Sequence, residues 1–407
     1  MDKIEQWISS QKSELVGRMV DIEGRMRRLD DWLADEVATI REAGSAAIPQ
    51  LDWREIAQDQ VSEAQRQSIR HRGCVVIRGV FAREEALEWN DRIGDYIDTN
   101  RYYEKARSRA GLDQYFSALA SGRPQIFGLY WSKPQIEARQ HEHLDLTRRF
   151  LNRLWRTDRP DGGVEFEADR QCSYADRLRR REPGDRSLGL SAHCDGGSVE
   201  RWCDPGFQSV YYDLFFGDVD RYDPFKAAGR TSTLEIPSPA VCSVFRTFQG
   251  WTALTPQGPG DGTLRLIPLA KGMAWMLLRA LQSDVAPNDL CGARAGRALA
   301  ADRHWHSRLL AGEVAIPRVE PGDTVWWHPD VIHAVEDEHR GRGYSNVIYI
   351  GAAPWCAKNE TFLKRQADAF LAGRSCPDFA SEDYEVDFTG RAALSDLTPL
   401  GRAQMGL

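Results

Sequence analysis

Through the first 44 residues hydrophobic positions recur at helical spacing: Ile4, Trp7, Ile8, Leu15, Met19, Ile22, Met26, Leu29, Leu33 and Val37 stand among charged residues, with no proline. Such a stripe predicts one long helix or two shorter ones with a single apolar face. The segment "GSAAIPQLDW" (44–53) breaks the pattern with glycine and proline. A short helix over about 60–71, the β-rich run "GCVVIRGV" (73–80) and a helix over 83–97 are predicted next. Beyond residue 125 strands are expected near 208–216, 240–254 and 263–268, separated by turns such as "PQGPGDG" (256–262). Residues 283–310 have no clear period, and irregular segments this long inside a domain are uncommon and often functional, so they are expected to cap an active site. A helix over 359–374 follows, then a weakly periodic tail. The chain therefore divides into an N-terminal helical segment (1–44), a main domain with long insertions (45–375) and a C-terminal tail (376–407), and its class is α+β.

Composition narrows the function. A chain of 407 residues with 42% hydrophobic residues can bury a sizeable core. The net charge of -7 argues against a nucleic-acid binder, which usually carries a basic face. One stretch, "DRLRRREPGDR" (176–186), is locally basic; it reads as a solvated loop or helix face, with a site for an anionic group as the alternative. The eight cysteines include no Cys-x-x-Cys pair and read as reduced thiols. The longest apolar run, "GMAWMLL" (272–278), is too short to span a bilayer, and the N-terminus lacks an apolar signal core. A cytoplasmic protein acting on a small molecule, without membrane or nucleic-acid partners, is expected; the sequence does not set its oligomeric state.

The candidate chemistry lies in His-x-Asp, which occurs three times. Residues i and i+2 share a face on a strand but diverge on a helix, so only a strand makes the pair bidentate. His143/Asp145 sits in a helical pattern and reads as a solvated helix face. His328/Asp330 has Pro329 between its members, which disfavours a central strand. His193/Asp195 follows the apolar run "LGLSA" and precedes Gly196-Gly197, the best setting of the three. A third ligand would complete the His, carboxylate, His facial triad of non-haem Fe(II) oxygenases, and His333, near the end of the strand predicted from Thr324, is the candidate. On a strand Cys194 should point away from the metal.

"SAHCDGG" (191–197) and "GDTVWWHPDVIHAV" (322–335), with "RGCVVIRGVF" (72–81), "QIFGLYWSKPQIEARQH" (125–141) and "RTFQGWTAL" (246–254), resemble the YbiU-like domain-of-unknown-function family within the Fe(II)/2-oxoglutarate-dependent oxygenase superfamily. The resemblance spans about residues 45–375 and implies a double-stranded β-helix core (jelly-roll, cupin-like) flanked by helices. It also implies Fe(II), 2-oxoglutarate and O2 as cofactors, with hydroxylation of a small polar metabolite or natural-product intermediate. In that superfamily an arginine about ten residues past the distal histidine commonly anchors the oxo acid. Arg342, followed by Ser345, fits by position, and Arg246 on a predicted strand is the rival. Tyr130, Trp131, Lys133, His304 and His306 are the candidates for a substrate pocket. Two other readings stay open: a cupin-type metal enzyme that does not use 2-oxoglutarate, and a barrel that binds a ligand without turnover.

Overall fold

The computed structural model describes residues 3–108, 124–159, 161–187, 191–238 and 241–407. Its strands are β1 (Gln50–Asp52), β2 (Cys74–Arg78), β3 (Ile126–Phe127), β4 (Glu167–Cys172), β5 (Leu178–Arg181), β6 (His193–Cys194), β7 (Phe248–Ala253), β8 (Leu264–Leu266), β9 (Leu299–Ala300), β10 (Val314–Ala315), β11 (Thr324–Trp327), β12 (His333–Val335) and β13 (Ser345–Trp355). Eight form one sheet in the order β1-β2-β11-β7-β13-β5-β3, with β4 added beside β13, and five form another in the order β10-β8-β12-β6-β9. β1 and β2 run parallel, whereas the neighbours of β12 and β13 run antiparallel to them. The chain crosses repeatedly between sheets: β5, β7, β11 and β13 enter the larger, and β6, β8 and β12 the smaller.

Alternation along each strand decides what lies between the sheets. Cys74, Val76, Trp251, Val325, Trp327 and Val347 face inward, where they share one apolar cluster with Leu264 and Leu266 of the smaller sheet. Their neighbours Val75, Ile77, Phe248, Trp326, Ile348 and Ile350 face outward, against Trp89, Ile93, Leu144 and Leu151 from the helices Arg83–Thr99 and Glu142–Asn152. The outer face of the smaller sheet, with Cys194 and Ala334, is covered by two N-terminal helices, Lys3–Arg18 and Ile22–Ala43, and by the helix Gly272–Arg279. The N-terminal segment thus shares one apolar core with the smaller sheet.

Two expectations about elements fail. Residues 208–216 are helical, in Pro205–Val210 and Tyr212–Phe215. Residues 283–310 do not cap the inward side: they contain β9 and the helix Arg303–Leu310, and they bury Val285, Leu290, Cys291, Leu299 and Leu309 in the cluster with the N-terminal helices. Among the described residues no helix is long and apolar enough to cross a membrane.

Candidate metal centre

His193 and His333, 140 positions apart in sequence, are directly opposed partners on adjacent antiparallel strands β6 and β12. Opposed residues point to the same face, and the two imidazole centroids lie 4.4 Å apart. Asp195 follows β6 at the i+2 position and completes the group: one ligand atom from each of the three lies within 4.8 Å of the others. Asp195 Oδ1 is 3.3 Å from His193 Nε2, and Oδ2 is 3.6 Å from His333 Nε2. The turn after Asp195 requires glycine: Gly197 has φ 75, and a Cβ there would lie 2.7 Å from the Phe207 ring. Residues 188–190, the front of the apolar run expected to lead into His193, fall outside the described residues.

Backbone carbonyls fix both ring tautomers. His193 Nδ1 donates to Ser191 O at 2.7 Å, and His333 Nδ1 donates to Val331 O at 3.3 Å. Each Nε2 is thereby left as a lone-pair donor facing the carboxylate, which suits a metal ligand. Gln249 on β7 donates to Asp195 Oδ2 at 2.9 Å and orients the carboxylate, and Trp327 packs its ring 5.1 Å from that of His333. Burial alone would raise the Asp195 carboxyl, but His333 and His193 beside it hold it well below the usual carboxylate range. Burial lowers the His333 imidazole, helped by repulsion from His193; at His193 burial also lowers, but the Asp195 carboxylate, as hydrogen-bond acceptor and as a charge, together with the Ser191 carbonyl outweighs it and the net shift is upward.

The other two His-x-Asp pairs are engaged elsewhere. His328 stacks on Trp155 with centroids 4.7 Å apart and donates from Nε2 to Pro224 O. Asp330 is buried between Arg201 (2.7 Å) and Arg230 (2.8 Å). His143 lies on the expected helix, stacked on Trp53, but its partner Asp145 is buried and receives Arg149 and Gln404. The strand predicted from Thr324 ends at Trp327, as expected, and after the turn at Pro329 the chain passes to β12 in the other sheet, so His333 stands on a strand of its own.

The expected pocket residues do not gather at the triad. Tyr130 and Trp131 are buried in a separate cluster with Phe370 and Cys376, and their backbone amides donate to the Glu385 carboxylate. Lys133 is exposed and pairs with Asp396 at 3.0 Å. His304 is exposed, and His306 is buried on the far side of the smaller sheet beside Trp275, where burial lowers its imidazole to about 4. The cavity that opens beside the triad is instead lined by Gly196, Phe207, Phe245, Arg246, Gln249 and Pro329 among others.

Arg342 is exposed in the loop between Gly341 and Gly343, and is not part of the cavity wall. Arg246 is part of that wall. A third arginine, Arg179 on β5, is 4% exposed and opposite Val347 on β13, so it points between the sheets. Its Nη2 reaches Ser345 Oγ and Gln257 Oε1 only at 3.4 Å each, and its Nε has no partner. Tyr349, two positions nearer the triad than Val347 on the same strand, is only half-buried despite lying between the sheets. Successive residues on a strand face opposite ways, so once "LRRR" is paired as β5, Arg179 and Arg181 share the inward face and Arg180 the other.

A family model described as Gig2-like matches residues 2–407. The chain belongs to the Gig2-like family. It is 42% identical over 405 residues to the uncharacterized protein YbiU of Escherichia coli (strain K12), covering 98% of this chain and 96% of that protein. A solved structure from Salmonella typhimurium LT2, of a protein proposed to be an oxidoreductase, superposes with a TM-score of 0.92 at 40% identity, covering 100% of this chain and 98% of that one. The structure of GlcNAc Inducible Gene 2 (GIG2, DUF1479) from Candida albicans gives a TM-score of 0.82 at 27% identity, covering 98% and 88%.

Proposed function

We propose that this chain is a non-haem Fe(II)/2-oxoglutarate-dependent oxygenase on a double-stranded β-helix, hydroxylating a small polar molecule with succinate and carbon dioxide as co-products. The observation that carries the reading is the convergence of two tautomer-fixed Nε2 atoms and one oriented carboxylate between two sheets. The crossing of successive strands from sheet to sheet supports the β-helix reading. The donor set fits Fe(II), since two neutral imidazoles and a carboxylate form a facial triad that leaves open positions. Iron held by His193, Asp195 and His333 would supply oxidation of the oxo acid and activation of dioxygen.

The chain's own residues do the rest. Gln249 holds the carboxylate of Asp195 in place, and Trp251 and Trp327 line the inward face and keep bulk water from the centre. A buried guanidinium lacking good acceptors carries a desolvation cost that an incoming carboxylate would offset. Arg179, with Ser345 and Tyr349, would therefore hold the far carboxylate of 2-oxoglutarate, in place of Arg342, which is exposed. This under-satisfied arginine is also what favours the oxo acid over a cupin-type reaction without one.

Two measurements test the reading. Fe(II) and 2-oxoglutarate together, without oxygen, should give a visible absorption band, and with oxygen the protein should release succinate slowly even without its own substrate. Arg179→Met should raise the 2-oxoglutarate concentration needed for half-saturation roughly ten- to a hundredfold, the value of about 1.5–3 kcal/mol for a hydrogen bond to a charged group, and leave iron binding unchanged. His333→Ala should abolish iron binding. A folded, iron-loaded wild type that gives neither band nor succinate overturns the proposal.

A further inference from the structure

Arg246 is 8% exposed, yet among the described residues its guanidinium makes no hydrogen bond. Its single ion pair is a loose one, 3.9 Å to Asp176, and its other support is the Tyr174 ring 5.1 Å below. Every other charge on the wall of the same cavity is matched. Asp330 takes Arg201 and Arg230; Arg201 Nη1 also reaches Tyr211 and its Nε reaches Gly197 O, while Arg230 Nη2 also reaches Pro224 O and its Nε reaches Lys226 O. Glu235 takes Lys358 at 2.7 Å. A buried cation without acceptors costs free energy, and forked donors are shaped for an oxyanion. The Arg246 stem passes close to Gly351, where a Cβ would be 3.1 Å from its Cδ, so a side chain at this position of β13 would crowd it. Near it the wall is apolar, with Phe207, Val210, Val244 and Phe245. The cavity meets the triad through Gln249, which touches Asp195.

We infer that Arg246 binds an oxyanion of the primary substrate, which is a small molecule carrying a carboxylate or a phosphate monoester on an apolar body. The inference rests on the oxygenase reading for the word substrate, but the anion site stands on Arg246 and its cavity alone. Two arginines then divide two anionic ligands: Arg179 between the sheets takes the co-substrate and Arg246 at the mouth takes the molecule to be oxidised.

The test follows thermal unfolding of the zinc-loaded full chain at saturating 2-oxoglutarate, with benzoate, phenyl phosphate or the neutral benzamide added. One of the two anions should raise the unfolding midpoint and benzamide should not; which anion does so separates carboxylate from phosphate. Arg246→Met should weaken that anion roughly tenfold or more while leaving 2-oxoglutarate binding intact, and Arg179→Met should do the reverse. Because it removes a buried charge held only by one loose ion pair, Arg246→Met should itself melt no lower than wild type; Arg246→Gln is the second variant if the methionine chain does not fold. No shift with either anion, an equal shift with benzamide, or undiminished anion binding in Arg246→Met overturns the inference. So does loss of 2-oxoglutarate binding in Arg246→Met. Anion binding through Arg246 in a wild type that takes neither metal nor 2-oxoglutarate would sink the oxygenase reading and leave the anion site standing.

Discussion

His328 and His333 lie five positions apart, and their surroundings give them opposite tasks. At His333 a carbonyl holds Nδ1 and leaves Nε2 to face Asp195; at His328 the Nε2–H is spent on Pro224 O, and Nδ1 accepts from the Asp330 amide at 3.0 Å. His328 is thus locked as a neutral ring under Trp155, and burial pulls its imidazole down to about 3. A histidine lowered in the folded state contributes stability above its unfolded value near 6.5 and loses it as pH falls toward the folded value. With His306 lowered to about 4 by burial, two rings act in the same direction. Stability should therefore fall below pH 6.5, by up to about 1.4 kcal/mol per pH unit for each ring. Denaturant titrations between pH 7 and 4.5 check this, and His306→Gln should flatten the slope; an unchanged slope would remove His306 from the account.

At the scale of elements, long periodic helices were legible and short aromatic ones were not. The N-terminal stripe appears as two helices because Asp21 accepts from the Gly24 amide at 3.1 Å and starts the second. Residues 208–216 look like a strand by their tyrosines and phenylalanines, but Asp204 caps and Pro205 opens a helix there, with Phe207 N donating to Asp204 at 3.0 Å. The Asp-Pro pair was the readable signal, and local capping won over β propensity. The basic run at 176–186 was misjudged for a related reason: β5 needs its pairing with β13 to exist, and only then do Arg179 and Arg181 turn inward while Arg180 lies over the Tyr344 ring. Tertiary pairing of this kind leaves no local trace. The N-terminal helices matter as elements because Leu15, Leu29 and Leu33 are packed against Met273 and Leu277 behind the smaller sheet. Leu33→Ala should cost about 2–5 kcal/mol by denaturant unfolding, the usual penalty for such a buried truncation. Iron affinity of the folded protein should stay unchanged, since no N-terminal residue belongs to the triad. A Leu33→Ala chain of wild-type stability would show that this face is not the partner the apolar stripe needs.

Over the whole molecule, the three residues of the candidate triad could be singled out by spacing, and the register that opposes β6 and β12 at their histidines brings them together, whereas the cavity wall is assembled from residues 196–249 and 329–330, which no single motif joins. The same architecture predicts how the protein with the proposed metal bound responds to its removal. Between the sheets the packing is made by Trp251, Val325, Trp327, Val347, Leu264 and Leu266, none of which depends on an ion. The triad is held from outside as well: Ser191 and Val331 carbonyls fix the rings, and Gln249 fixes the carboxylate. Chelation should therefore leave a cooperatively folded chain rather than an unfolded one, unlike small domains in which metal binding supplies the folding energy. Metal at a hundred times its dissociation constant stabilises by about 2.7 kcal/mol. For a chain of this length that is a rise of about 3 °C in unfolding midpoint. Scanning calorimetry of chelated and Fe(II)-loaded protein under anaerobic conditions measures it. Loss of the cooperative transition on chelation would mean that the centre, not the apolar strands, holds the two sheets together.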